Sequence, residues 1–464
     1  MIAKKLFFFS FLVMSLIGIQ SCQNNPPAGE ADNDTYRLAM LAPGHFHAAL
    51  LQKSMYPEID STVDVYAPDG PELNTYLDFI SGYNSRSDNP THWNEEVYTG
   101  QDYLEKMLAT EKPGRTIVAI SGNNQRKTEY ITSSVNAGLH VLADKPMVIS
   151  TENFTQLKKA FETAREKKVV LYDIMTERYA AINIIQKALR YMPDVFGELE
   201  NGTPDNPAVI LKSLHHYYKT VSGKTLRRPA WFFDVNQQGG GLLDITTHFI
   251  DIIQWACFSE TVFDYEKDVQ MLSAKQWPTT LTLEQFKKVT GVDQYPDYLK
   301  KDVKGDQLNI YGNGEMHYTL KGVNAEVGVE WRYVAPEGTG DTYFSQIRGT
   351  KATLTIRQDK EQNYKPTLYI KPADRNDKSW KAALEKGLEK ITQQFEGVTV
   401  AETGDELEVV IPAQFVTGEE PRFAAVIKKY LQFLKSGNIP DWEESFMLTK
   451  YYTTTRALEV ASGK

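Results

Sequence analysis

Three side chains that could move a proton or polarise an oxygen stand in two distant segments of the chain. Asp244 and His248 are four positions apart, so a helix would place both on one face. An imidazole beside a carboxylate is a tunable proton donor and acceptor near neutral pH. Lys145 follows an apolar run and precedes Pro146, which favours an extended backbone, so its ammonium could be aimed at a hydroxyl group. The structural alternatives are a helix N-cap, a half-buried histidine and a surface lysine.

The first predicted strand, 36–41, runs into a short turn and then a helical pattern at 48–51. A strand, a tight turn and a helix open a dinucleotide-binding βαβ unit, in which turn amides and the helix N-terminus can hold a pyrophosphate. Of the G-x-G-x-x-G pattern only the central glycine is present, and other residues occupy the flanking positions. The turn supplies these candidate cofactor-binding residues: Ala42, Gly44, His45, Phe46 and His47.

A carboxylate, Asp69, follows the next predicted strand, 63–67. At that place a carboxylate can accept hydrogen bonds from an adenosine ribose, and it would repel a 2′-phosphate. Asp69 therefore favours NAD over NADP, and we expect Arg126 and Lys127 to lie too far along the fold to alter this. The alternative is that Asp69 is a turn former between a proline and a glycine.

Strand and helix patterns alternate up to about residue 178, which predicts a doubly wound, mostly parallel sheet in a domain spanning 36–178. A polar segment at 81–100 interrupts the alternation and is predicted to be a loop or a surface decoration. Residues 179–464 contain many strands with alternating polarity, typical of an antiparallel sheet with one solvated face. The predicted fold is thus α/β with two domains. Further predictions are an insertion with a short helix at 285–304 and helices at 380–395, 422–434 and 445–461.

Two blocks of sequence resemble the Gfo/Idh/MocA oxidoreductases, the family of glucose–fructose oxidoreductase and inositol dehydrogenase. Residues 137–146 read AGLHVLADKP, similar to the family's AGKHVLxEKP with Asp144 in place of glutamate. Residues 239–251 read GGGLLDITTHFID, similar to GGGxLxDxGxHxxD with Thr246 in place of glycine. The resemblance covers approximately 36–260.

This resemblance implies a Rossmann domain, a C-terminal α/β domain with a large antiparallel sheet, and an active site in the cleft between them. It implies that Lys145 and Asp244 orient a sugar hydroxyl while His248 is the general acid and base. The cofactor would be NAD or NADP, with Ser121, Asn123, Asp144, Lys145 and Pro146 added to its contacts. Candidate substrate-binding residues, each with a plain structural or ion-pair alternative, are Arg178, Trp231 and His216.

Composition excludes several other classes of function. With 51 Lys and Arg against 60 Asp and Glu, the net charge of −9 disfavours nucleic-acid binding. Two cysteines, Cys22 and Cys257, are too few for a disulfide framework or a cysteine-built metal site. The pairs His45/His47 and His215/His216 come with no third ligand nearby in sequence, so we expect no bound metal.

The first 21 residues resemble a bacterial lipoprotein signal peptide. A basic start precedes an apolar run at 6–19, too short for a membrane span of roughly 20 residues, and Cys22 follows directly. We expect lipidation of Cys22, a flexible tether at 22–35 and a membrane-anchored location outside the cytoplasm. Ordinary secretory cleavage is the alternative.

Export constrains the chemistry, because no free nicotinamide pool exists outside the cytoplasm. We therefore expect tightly bound NAD(P) and oxidoreduction of a CH–OH group in a sugar or sugar derivative. The alternatives are a redox-neutral glycosidase, which oxidises, eliminates, hydrates and reduces, and a non-catalytic sugar-binding lipoprotein. A homo-oligomer formed through the C-terminal sheet is a further expectation.

Overall fold

The computed structural model describes residues 35–221 and 224–463. The N-terminal domain contains a six-stranded parallel sheet in the order β3-β2-β1-β4-β5-β6. Strands β4, β5 and β6 are buried along their whole length, which accounts for the continuous apolar run at 117–120 in β4. The six strands are β1 Tyr36–Leu41, β2 Ile59–Ala67, β3 Asn94–Thr99, β4 Thr116–Ile120, β5 His140–Asp144 and β6 Leu171–Ile174.

Five helices follow strands of this sheet, as the predicted Rossmann architecture requires. Helix α5 begins at a conventional cap, since the Ser150 side chain accepts a hydrogen bond from the Asn153 amide at 3.1 Å. It ends with Lys168 in the left-handed region at φ +56°. The helices are α1 His47–Leu50, α2 Pro71–Ser85, α3 Tyr103–Thr110, α4 Lys127–Asn136 and α5 Thr151–Lys167.

The prediction of a loop or decoration at 81–100 is wrong. The segment completes α2 and then forms β3, the edge strand of the parallel sheet. Trp93 is only 4% exposed, and its indole nitrogen donates to the Gln52 carbonyl at 2.6 Å. An edge strand has little apolar sequence because most of its side chains face solvent, so its pattern resembles a loop.

The C-terminal domain contains a large, mostly antiparallel sheet in the order β12-β14-β15-β9-β16-β17-β18-β20-β19, with β13 paired to β14. Strands β15 and β9 form its parallel pair. Strands β12 and β19 have no regular apolar pattern, because they are only partly buried. The strands are β7 Gly202–Thr203, β8 Asn206–Pro207, β9 Val209–Tyr218, β10 Thr220–Val221, β11 Lys224–Thr225, β12 Val269–Thr282, β13 Val303–Lys304, β14 Gln307–Leu320, β15 Val323–Val334, β16 Thr342–Arg348, β17 Ala352–Gln358, β18 Thr367–Pro372, β19 Thr399–Thr403 and β20 Glu406–Val410.

Helix α8 is the central helix of the C-terminal domain. It is buried on nearly every side, and it carries Asp244 at its N-terminal boundary and His248 in its first turn. The helices that follow the parallel-sheet domain in the chain are α6 Ala181–Arg190, α7 Val235–Gln238, α8 Ile245–Cys257, α9 Tyr265–Asp268, α10 Leu283–Thr290, α11 Lys378–Thr392, α12 Glu419–Ser436 and α13 Asp441–Ala461.

The last two helices, α12 and α13, pack against both domains. Phe423 and Tyr430 of α12, with Tyr451 of α13, belong to the hydrophobic core of the parallel-sheet domain. Phe446 of α13 belongs instead to the core under the antiparallel sheet. The Rossmann core is therefore completed by residues more than two hundred positions away from its last strand, a contribution that periodicity does not reveal.

The predicted signal peptide and Cys22 lie outside the described residues. Within residues 35–221 and 224–463, none of the helices combines the length and apolar character needed to traverse a bilayer.

Candidate active site

Two loops meet where the strand order of the parallel sheet reverses, between β1 and β4. The amides of Gly44 and His45 donate to the Ser121 carbonyl at 3.1 and 3.2 Å. A Cβ atom on Gly122 would lie 2.3 Å from the Ala42 carbonyl oxygen, so only glycine permits this approach. Ligands of open α/β sheets bind at such a switch point, and the crevice here opens above both loops.

The β1–α1 turn departs from the expected phosphate-binding turn. Ala42, which stands where the first glycine is usual, adopts the left-handed region at φ +47°. The amides of Gly44 and His45 are already engaged by Ser121, and α1 has only four residues. The expectation that this turn offers free amides to a pyrophosphate therefore does not hold for these two residues.

A cavity of about 250 Å³ lies beside Asp69, on the side of the crevice where the adenosine half of a dinucleotide belongs. Arg126 lines the same cavity, so the expectation that it lies too far away is wrong. Its guanidinium is 3.1 Å from the Tyr103 hydroxyl and pairs with Glu129. A cation and a carboxylate thus share this wall, and Asp69 alone does not decide between NAD and NADP.

Lys127 also lies at the site rather than away from it. It is 1% exposed, and its ammonium donates to the Asp144 carbonyl at 2.9 Å. Burial lowers the pKa of Lys127 to about 8, an effect partly opposed by Asp144.

A second cavity, of about 790 Å³, lies between the two domains and holds Lys145, Asp244 and His248 in its wall. The Lys145 ammonium donates to Asp244 Oδ1 at 2.6 Å, and the two side chains are only 9% and 10% exposed. Asp244 occupies the N-cap position of α8, but within the described chain its carboxylate makes no capping hydrogen bond. The structure therefore brings together the three residues that the sequence placed in one proton-transfer site.

Burial and mutual charge set the protonation states of these three groups. Burial works to lower the pKa of Lys145, but the Asp244 and Asp144 carboxylates outweigh it and raise the pKa. Burial works to raise the pKa of Asp244, but the Lys145 ammonium holds it below its usual value. Burial, helped by Lys145, lowers the pKa of His248 to about 3. At neutral pH the site thus contains an ion pair beside an uncharged imidazole.

His248 is poised to accept a proton. Its Nδ1 is buried and has no hydrogen-bond partner among the described residues. Because Nδ1 is closed off from the cavity, a proton from a ligand's hydroxyl group would have to pass to Nε2, the other nitrogen of this cavity-lining imidazole.

Asp144 lies behind this group, at the end of β5. Its Oδ2 accepts from the Ser121 hydroxyl at 3.0 Å and lies 2.9 Å from His47 Nδ1. Burial works to raise the pKa of Asp144, yet His47 and Lys127 hold it well below its usual value. The following peptide bond, between Lys145 and Pro146, is cis.

The three candidate substrate residues lie in different places. Trp231, 7% exposed, lines both cavities and so stands between them. His216 is 2% exposed and bonds Asp341 at 2.8 Å, and the described lining of the large cavity includes His215 instead. Both histidines reach Asp341, but only the His215 ring, which packs against Trp331, belongs to the described lining of the cavity.

Arg178 does not belong to the described lining of either cavity. It is 5% exposed and bonds both oxygens of Asp251 at 2.6 Å and Glu443 at 2.8 Å. Lys450 adds an ion pair to Asp251 at 2.8 Å. The substrate-binding prediction for Arg178 is therefore wrong, as is the surface ion-pair alternative: it belongs to a buried ionic network at the domain junction.

Sequence reasoning missed one wall of the large cavity. Asp341 accepts from His215 at 3.2 Å and from Lys219, and Trp331 lies 5.0 Å from the His215 ring. Arg228 lies over Trp331 at 5.0 Å. Aromatic faces with charged groups beside them suit a polar, ring-shaped ligand. Asp341 sits in a loop just before β16, with no sequence signal to single it out.

Two protein families match the chain and together span most of it. The family described as "Oxidoreductase family, NAD-binding Rossmann fold" matches residues 73–174. The family described as "Putative oxidoreductase C terminal domain" matches residues 185–462.

One solved structure is similar along nearly the whole chain. A "putative oxidoreductase" from Parabacteroides merdae is 46% identical, covers 93% of this chain and 98% of its own, and superposes with a TM-score of 0.90. A 3-ketoreductase from Actinomadura kijaniata, in complex with NADP and TDP-benzene, is 15% identical over 92% of this chain and 98% of its own, with a TM-score of 0.55. At that identity it shows a shared fold.

Among characterised proteins, the 1,5-anhydro-D-fructose reductase of Ensifer adhaerens is 31% identical over 146 residues. That match covers 31% of this chain and 38% of the reductase, so this chain spans well under half of the relative.

The fold and the site thus define a two-domain oxidoreductase with a dinucleotide crevice. The chain belongs to the Gfo/Idh/MocA family, and its first domain is an NAD(P)-binding Rossmann domain, which confirms the predicted family, fold class and cofactor. The residues present fit that cofactor, because Gly122 keeps the crevice open where a Cβ would fill it.

Proposed function

We propose that the protein oxidises or reduces a CH–OH group of a sugar or sugar derivative, with a nicotinamide cofactor as hydride partner. The observation that carries this proposal is the 2.6 Å contact between Lys145 and Asp244, made across the domain cleft in the wall that also holds His248. The reductase and ketoreductase relatives support a sugar-type substrate. When bound, the cofactor accepts or returns the hydride of the substrate carbon.

Lys145 and Asp244 orient the substrate oxygen in this proposal. The ammonium is held charged by Asp244, so it donates to the hydroxyl oxygen and stabilises the negative charge that develops there as the proton leaves. The carboxylate fixes the ammonium and is available to a neighbouring hydroxyl. Because the pair is almost wholly buried, water competes little with the substrate.

His248 transfers the proton. Its imidazole is neutral and takes the hydroxyl proton when the carbon is oxidised, then returns it when a carbonyl is reduced. One proton and one hydride leave the substrate in oxidation, so its charge is unchanged at the end.

The redox-neutral glycosidase is the second candidate, and one observation favours it. Asn123 donates to Gln237 Oε1 at 2.6 Å, and the Asn124 amide donates to the Gln237 carbonyl at 3.0 Å. Asn123 lines the smaller cavity and Asn124 the larger, so these bonds tie the Rossmann domain to α7 at a place that both cavities border. In this proposal the hydrogen bonds must break before a bound dinucleotide can leave. Slow release is needed if the cofactor is to be regenerated within each cycle.

Location and assembly extend the proposal. We infer that Cys22 is lipidated and anchors the protein to a membrane outside the cytoplasm, as the sequence of 1–22 indicates. A second copy could pair through the antiparallel sheet, where six of the 14 residues of β12 are exposed. Replacing Cys22 by serine should move the protein from the membrane fraction to the soluble fraction, and retention in the membrane would contradict the anchor.

The function is tested on gently purified protein. Mass spectrometry of the denatured sample should show a nicotinamide cofactor. A panel of free sugars and glycosides is then added without oxygen while reduced-nicotinamide absorbance and release of the aglycone are both recorded.

Each outcome has a distinct meaning. Reduced nicotinamide that accumulates without aglycone release supports a dehydrogenase, and aglycone release without net reduction supports the glycosidase. Absence of both cofactor and cofactor binding on titration would contradict the proposal and leave a sugar-binding protein.

A further inference from the structure

We propose that His45, His47 and Asp144 form a binding site for a divalent first-row transition-metal ion in the wall of the large cavity. This inference goes beyond the proposed function and does not rest on it. The sequence offered only the His45/His47 pair, and the fold supplies the third residue, because β5 ends beside the β1–α1 turn.

The three ligand atoms are already close together. His47 Nδ1 lies 2.9 Å and His45 Nδ1 lies 3.7 Å from Asp144 Oδ2. One ring nitrogen of each histidine and one carboxylate oxygen of Asp144 lie within 4.8 Å of one another. With metal–ligand bonds of 2.0–2.2 Å, neighbouring ligand atoms of a tetrahedral zinc ion stand roughly 3.3 Å apart. The two observed distances bracket that separation, so small side-chain rotations suffice.

The ligand chemistry suits such an ion. Two imidazoles and one carboxylate are the set used by catalytic zinc and non-haem iron sites, which keep open positions for water or substrate. Asp144 is 3% exposed, and its Oδ1 has no hydrogen-bond partner in residues 35–221 and 224–463. An ion held by both oxygens of Asp144 would give that second oxygen a partner, which the hydrogen bond between His47 and Oδ2 does not.

The surrounding charges also permit a cation. Lys145 is paired with Asp244, and Lys127 donates to the Asp144 backbone carbonyl instead of its carboxylate. The Ser121 hydroxyl donates to the Asp144 carboxylate at 3.0 Å and so orients it, as hydrogen bonds to metal-binding carboxylates commonly do.

The position gives the ion a role at the substrate. His45, His47 and Asp144 line the same cavity as Lys145, Asp244 and His248. An open coordination position there would face the space where the substrate oxygen is expected, and it could hold that oxygen or a water molecule.

The chain provides its own control. Glu315, His317 and Glu326 form a second group of the right residue types on the large sheet. There, however, the carboxylates are in ion pairs with Lys275, at 2.9 Å, and with Lys212. We expect that group to compete poorly for an ion.

The test titrates metal-free protein with Co²⁺ alone, follows the visible absorbance, and then adds Zn²⁺ as a competitor. Wild type should bind one Co²⁺ per chain, and Zn²⁺ should displace it. His45→Asn and His47→Asn should each raise the dissociation constant by more than about 100-fold, beyond the ~10–100-fold effect of losing a residue that only orients a ligand. His317→Asn should bind like the wild type.

Stoichiometric binding by wild type that disappears in the two turn variants supports the site. No stoichiometric binding by wild type, unchanged binding in both His45→Asn and His47→Asn, or loss of binding in His317→Asn alone would overturn it. Thermal unfolding of each variant shows whether it is folded. Because no sugar is added, failure here leaves the proposed oxidoreductase untouched, and failure of the sugar assay leaves the metal site untouched.

Discussion

The ammonium of Lys145 lies 2.6 Å from the Asp244 carboxylate, although 99 positions separate the two residues in sequence. Lys145 follows the fifth strand of the Rossmann sheet, and Asp244 begins the central helix of the second domain. The pair therefore joins the domains at the floor of the cavity, and it fixes the spacing between the cofactor crevice and His248.

The first prediction concerns the stability of this pair. Asp244→Ala should reduce the free energy of unfolding by about 3–5 kcal/mol, because it leaves a buried ammonium without its partner. Combining it with Lys145→Met should cost clearly less than the sum of the two single changes. Denaturant unfolding of the four proteins measures this coupling, and strictly additive losses would show that the two charges do not interact.

The pH profile of oxidation follows from His248. Its lowered pKa, about 3, means that the imidazole remains unprotonated and able to accept a proton down to about that pH. Protonation below the pKa removes the base, so activity should be lost on the acid side only there. We expect kcat/KM of the holoenzyme to show no histidine-like decline between pH 7 and 5. A loss of rate centred near the ordinary histidine pKa, roughly 6.5, would contradict this.

Another prediction concerns the ionic network behind α8. Lys450 is fully buried and pairs with Asp173 at 2.7 Å and Asp251 at 2.8 Å. Lys450→Met should cost about 3–5 kcal/mol, because two buried carboxylates lose a positive partner. Denaturant unfolding measures the loss. Lys159→Met, at an exposed position of α5, is the control and should change stability by less than about 0.5 kcal/mol.

The crevice depends on Gly122. Gly122→Ala places a Cβ 2.3 Å from a backbone oxygen, so the two loops must separate, at a cost of about 1–3 kcal/mol. Cofactor affinity, measured by titration calorimetry, should fall with it. Gly82→Ala is the control, since no described atom lies within 4 Å of its added Cβ. Equal cofactor affinity in both variants would show that the loop contact is unimportant.

The sequence predicted the architecture well where the signal is local. Buried parallel strands such as β4 give continuous apolar runs, and the two signature blocks point to Lys145, Asp244 and His248 directly. The edge strand β3 was missed because exposure on most of its length removes the apolar pattern.

The sequence did not predict which residues from distant segments contact one another. The position of Arg126 beside Asp69, the burial of Arg178 against Asp251, and the approach of Asp144 to His47 all depend on how the elements pack. The sequence also could not decide which of His215 and His216 lines the cavity, because that depends on how β9 is placed in the sheet.

The most direct test of the account is a single-turnover measurement on holoenzyme with the best sugar found in the panel. His248→Ala should bind the cofactor as the wild type does, while the rate of nicotinamide reduction falls by about 10²–10⁴. Lys145→Met, measured at saturating cofactor, should lower the rate by a similar factor. His92→Ala, on an exposed loop, should retain the wild-type rate. If His248→Ala, with cofactor bound, still reduces nicotinamide at the full rate, the assignment of the active site is wrong.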